Sequence, residues 1–239
     1  MTSHKPLASQ PFLDKQTAQV LYIIACTGIV VLDLFPDQKV LRMLFKGAMM
    51  PLLAVWVNSR FEGRAPQIIT ISLVFATLGD IFLDLEGILG KGPWFQLGML
   101  FFLCMQATYL IGFYRMPEHN HGVPLPAMLI YGAVIVVFNY AIGPKLGELQ
   151  IPTLVYSVFL VGMATFSSAF TTKMMIGGGM FAVSDFLIVV GMVGGNFPLR
   201  SFLVQITYVV AQYLLINDWG RLSVGEIKEK RFSASSKSK

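Results

Sequence analysis

Residues 67–85 read QIITISLVFATLGDIFLDL. The stretch is apolar and about as long as the roughly 20 residues a helix needs to cross a bilayer's hydrocarbon core. Two aspartates, Asp80 and Asp84, nevertheless stand four apart near its end. An ionisable group inside a span costs roughly 2.5–3.5 kcal/mol on insertion scales and normally faces the bundle interior with a partner. The stretch therefore predicts a membrane helix with a polar purpose.

The rest of the chain agrees. Of 239 residues, 55% are hydrophobic and only 13% charged, with a mean hydropathy of +0.66. Soluble domains carry about a quarter charged residues. Breaks at Pro, Gly and charge clusters predict eight spans, near 17–34, 39–57, 67–85, 94–114, 124–142, 151–171, 174–194 and 199–217. The expected fold is all-α, a polytopic bundle of eight transmembrane helices. Connections such as FPDQ (35–38) and GNFP (195–198) are short, so neighbouring helices run antiparallel. Residues 1–16 form a polar N-terminal segment without the form of a cleaved signal, 17–219 the membrane domain, and 220–239 a basic tail.

Charge sets the expected orientation. Twelve Lys and Arg fall on the side shared by the two termini and five on the other, which predicts cytoplasmic termini. The tail contributes six of the twelve, and a membrane-surface anchor explains it better than nucleic-acid binding. Cys26 and Cys104 lie in apolar runs, which disfavours a disulfide framework or a Cys-based metal site. A 4+4 internal repeat is a further expectation. FATLGDIFL in span three matches FAVSDFLIV in span seven, and QATY (106–109) matches QITY (205–208), both about four spans apart.

The intramembrane charges have informative spacing. Arg42 and Lys46 are four apart, as are Asp80 and Asp84, so each pair shares a helix face. Around the turn near 58–66, Lys46 falls at the depth of Asp80 and Arg42 at the depth of Asp84. Two opposite-charge pairs are expected, and they could simply hold spans two and three together. Asp185 in span seven approaches the same half of the bundle with no evident cation. A third carboxylate near the other two suits the sharing of a proton in general acid–base work.

Tyr109, Tyr156, Tyr208, Gln106, Gln205 and Gln212 are polar groups on apolar helices, fit either to line a cavity or to hydrogen-bond between helices. Ser157, Ser167, Ser168 and Ser184 have no intramembrane His, which disfavours a serine triad. HNH at 119–121 reads as a polar loop, and no metal site is expected. IGGGM (176–180) lacks the Lys of a phosphate loop and reads as close packing. The lysine of a retinal protein is absent from the last spans.

Over about residues 40–217 the sequence resembles the YhhN-like family, the lysoplasmalogenases. The resemblance rests on Lys46, LGDIFLDL (78–85), GMLFFLCMQATYLIGFY (98–114), YSVFLVGM (156–163), GGGMFAVSDFLIVV (177–190) and ITYVVAQYLLI (206–216), in that order. Two departures stand out. Gln106 occupies a place where the family usually has His, and Lys46 is followed by Gly47 where relatives often have Pro, with a proline only at Pro51. The resemblance implies hydrolysis of the vinyl ether bond of a lysoplasmalogen, giving a fatty aldehyde and glycerophosphoethanolamine or glycerophosphocholine, without a cofactor.

That chemistry needs one protonated acid, one carboxylate and water, much as glycosidases do. Asp80 and Asp185 are the expected catalytic pair, with acid and base roles open. Lys46 either tunes the pair or holds the substrate phosphate, Arg42 is also available for phosphate, and Asp84 supports the site. Tyr109, Tyr156, Ser184, Tyr208 and Gln212 complete the candidate substrate-binding set. The expected partners are a lysophospholipid substrate and the lipid bilayer, with no nucleic acid. The membrane would be the endoplasmic reticulum in a eukaryote and the inner membrane in a bacterium. Two other readings remain: a proton-coupled carrier using the same acids as a relay, and a catalytically silent lipid-binding protein.

Overall fold

The computed structural model describes residues 13–35, 37–61, 65–90, 92–116 and 122–237. His119, His121, most of the N-terminal segment and the last two residues lie outside them, so the readings placed there have no counterpart. Eight α-helices follow in order: α1 (Lys15–Leu32), α2 (Lys39–Arg60), α3 (Ala65–Leu89), α4 (Trp94–Tyr114), α5 (Leu125–Ile142), α6 (Gln150–Ser167), α7 (Thr172–Met192) and α8 (Arg200–Lys237). No strand occurs among the described residues. Asp14 caps α1, accepting from the backbone N–H of Gln16 and Thr17. The Thr17 hydroxyl, with those N–H groups, holds the exposed Asp14 carboxyl below its usual range.

Helices α1 to α7, two of them with their adjoining 3-10 turns, are long and apolar enough to cross a membrane. The chain is an integral membrane protein. Helix α8 differs from the expected last span in two ways. It carries Gln205, Tyr208, Gln212, Asn217 and Asp218, all buried, so it is less apolar than the other seven. It also runs unbroken through the expected boundary at residue 220. At about 1.5 Å per residue, its 38 residues outrun a hydrocarbon core of roughly 30 Å.

Sequential helices pack as neighbours except α4 and α5, with α3–α4 and α7–α8 the most extensive pairs, α4 against α6, and α8 returning to α1, α2 and α3. Small residues permit the close approaches. A Cβ at Gly98 would lie 3.1 Å from the Gly79 carbonyl oxygen, and one at Gly112 would enter the Trp219 ring. The core is aromatic and methionine-rich around Trp56, Met49, Met50, Tyr109, Phe113 and Trp219. Helix α5 buries none of its residues. Leu129, Ile130, Val136 and Val137 are each more than 60% exposed, which suits a helix whose solvent is lipid.

Candidate active site

The charged residues of α2 and α3 meet as a ladder. Lys46 Nζ lies 3.3 Å from Asp80 Oδ1 and 3.4 Å from Asp84 Oδ1. Arg42 Nη1 is 3.6 Å from Asp84 Oδ1, and Arg42 Nε is 2.6 Å from Asp33 Oδ1. Asp80, Asp84 and Lys46 are all buried. A buried charge persists only when paired, because desolvation costs several kcal/mol per ion. Each carboxylate of the ladder has a cation, so α1, α2 and α3 are tied together at one end.

Asp80 has a second partner, the Tyr208 hydroxyl of α8, which donates to Oδ2 at 2.9 Å. Asp185 on α7 accepts from the Tyr156 hydroxyl of α6 at 2.6 Å. No Lys or Arg stands at ion-pair distance from Asp185 among the described residues. The two aspartates nonetheless lie within Coulombic range of each other. One has a cation and the other does not.

Two spaces meet at Asp185, and a third adjoins the second at Leu83. A chamber of about 480 Å³ opens between α5, α6 and α7, and apart from Asp185, Tyr156, Tyr131, Thr153, Ser157 and Thr207 its walls are hydrocarbon and glycine. A neck of about 40 Å³ shares Thr153, Tyr156, Asp185 and Val189 with the chamber and reaches Leu83, Phe95, Met99 and Phe102. Leu83 also bounds a vestibule of about 190 Å³ walled by Asp33, Lys39, Arg42 and Asp84. Asp80, only 1% exposed, is set deeper, its partner Tyr208 edge-on to the neck residue Phe102.

Three candidates go elsewhere. The Tyr109 hydroxyl donates to Gln212 Oε1, and Gln212 Nε2 reaches Met105 Sδ at 3.3 Å. Ser184 Oγ donates to the Val204 carbonyl at 3.0 Å. Tyr109, Ser184 and Gln212 thus make hydrogen bonds between helices in the core, the other use open to polar groups on apolar helices. Gln106, fully buried, stands beside Tyr156.

Sequence reasoning missed two features. Asp33 is the closest partner of Arg42, and the signal was available: the two flank FPDQ and so meet across a tight hairpin. Thr153 lines both chamber and neck, and nothing in its sequence context marks it. No group of three or more His, Cys, Asp or Glu among the described residues is arranged to hold a metal ion.

The model of the YhhN family matches residues 41–219. The chain belongs to the YhhN family. The match runs from Leu41 to Trp219 and so contains every member of the ladder except Asp33, which precedes it. No curated protein and no solved structure matches this YhhN chain. The site of this family member therefore stands on its own geometry.

Proposed function

We propose that this YhhN protein is a hydrolase that cleaves the vinyl ether bond of lysoplasmalogens, using Asp80 and Asp185. The observation that carries the reading is the unequal pair: two buried aspartates, each held by a tyrosine, one beside Lys46 and one facing an apolar chamber. Asp185 is the proton donor, because it borders the apolar chamber and has no Lys or Arg at ion-pair distance among the described residues to balance an ionised form. Asp80, balanced by Lys46, is the carboxylate that stabilises developing positive charge from one layer deeper.

The reaction is balanced without a metal or a redox partner. Asp185 protonates the β-carbon of the vinyl ether, leaving an oxocarbenium ion. Water adds to that ion and loses a proton to the carboxylate, giving a hemiacetal. The hemiacetal breaks its carbon–oxygen bond to the glycerol, the glycerol oxygen takes the remaining proton, and a fatty aldehyde forms. Tyr156 orients Asp185 and Tyr208 orients Asp80. Eight spans with cytoplasmic termini and a 4+4 repeat complete the proposed arrangement.

Purified protein incubated with a lysoplasmalogen, with aldehyde measured against time, tests the reading. A second reading has its own observation. The ladder Asp33–Arg42–Asp84–Lys46–Asp80 steps from the helix ends into the core, as the relay of a proton-coupled carrier would. Solute uptake driven by a proton gradient, with no aldehyde formed, would favour the carrier.

A further inference from the structure

The chamber beside Asp185 exists because α5 stands away from α7. Helix α5 packs along α6 and only sparsely touches α7. Aromatic side chains of α5 reach across the seam. The rings of Phe138 and Phe186 meet with centroids 5.1 Å apart, and the Tyr131 hydroxyl would lie 3.1 Å from a Cβ at Gly179. Both flanking helices are membrane-spanning candidates, so the seam faces hydrocarbon.

We propose that this chamber is a binding site for the single hydrocarbon chain of a one-chain lipid, which enters sideways from the bilayer between α5 and α7. The occupant follows from three observations. The walls are almost wholly apolar, and about 480 Å³ lies within the roughly 300–1,000 Å³ of small-molecule sites. The neck at Asp185 encloses only about 40 Å³, little room for a second chain beside the first. Beyond Leu83 the charged vestibule offers Lys39, Arg42, Asp33 and Asp84 to a polar head. A two-chain bilayer lipid fits the chamber but not the sequence of chamber, neck and vestibule. Gly179 keeps the chamber open, since a side chain there would grow from α7 toward Tyr131. That the chain's reacting end stops at Asp185 rests on the hydrolase reading; chain binding does not.

The test uses the full-length protein in nanodiscs and a non-hydrolysable 1-O-alkyl lysophospholipid with a diazirine near the chain end. Photolabelling is expected within residues 131–138 and 176–186. Gly179→Phe and Val183→Trp should each lower labelling about tenfold, the ratio given by about 1.4 kcal/mol of lost binding. Val183 lines the chamber at its exposed lip, so its substitution does not depend on refilling a packed interior. Gly132→Phe, where an added Cβ meets nothing within 4 Å, should leave labelling unchanged. Labelling confined to other helices, or unaffected by both chamber variants, overturns the proposal. Equal labelling by a two-chain diazirine lipid overturns it too. Labelling as expected without lysoplasmalogen turnover keeps the chamber and removes the hydrolase reading. Turnover without labelling there removes the chamber.

Discussion

Lys46 Nζ lies 3.3 Å from Asp80, whereas Asp185, the second aspartate of the proposed catalytic pair, is held by the Tyr156 hydroxyl.

Lys46→Met leaves Asp80 and Asp84 buried beside no lysine. Removing one partner of a buried pair costs about 3–5 kcal/mol. Asp80→Asn in the same chain should restore part of that loss. Unfolding of both single variants and the double variant in one detergent gives the coupling energy. Strictly additive losses would mean that the two side chains do not interact.

Tyr156→Phe removes the hydroxyl that orients Asp185 while leaving the ring in place. Activity should fall about tenfold or more, since about 1.4 kcal/mol in the barrier is a factor of ten. Unfolding should change by about 1 kcal/mol, the usual worth of one hydrogen bond. Tyr109→Phe is the contrast, because its hydroxyl bonds to Gln212 in the core. Its loss should appear in stability, with activity per folded molecule retained.

Gln106 stands beside Tyr156, at the position where the resemblance to the family implies His. Gln106→Ala should lower activity about tenfold by opening space beside Tyr156, a loss of about 1.4 kcal/mol. Gln106→His should keep most of it. Equal losses in both variants would show that the position needs the amide itself.

Gly112→Val sets a branched side chain where even a Cβ enters the ring of Trp219, itself 1% exposed. Overpacking of this kind costs about 1–3 kcal/mol. A lowered thermal transition without a changed KM is the expected result. An unchanged transition would mean that α4 and α8 pack less closely than described.

Much of this was readable in the sequence, and the reason is geometric. Antiparallel helices joined by short turns make depth a matter of residue number, so Lys46 and Asp80 could be set opposite each other, as could Arg42 and Asp84. Spacings of four then put both charges of each helix on one face. Tyr109, Ser184 and Gln212 could not be sorted from Tyr156 and Tyr208 in the same way. All five are single polar groups on apolar helices, and only rotation about the helix axis decides which meets an aspartate. The chamber was hidden for a related reason. Helix α5 looks like any other span in sequence, and its lack of buried residues follows from packing that no periodicity encodes. The length of α8 was missed because its polar residues were read as the end of a span, whereas they turn inward and the helix continues.

The most direct measurement is aldehyde release from a lysoplasmalogen by the purified wild type beside Asp80→Asn and Asp185→Asn, each shown to be folded. The account predicts release by the wild type and a loss of about 100-fold or more in both variants, the lower range for a general acid or base. Undiminished release by either folded variant, or none from a folded wild type beside an active relative, would contradict it.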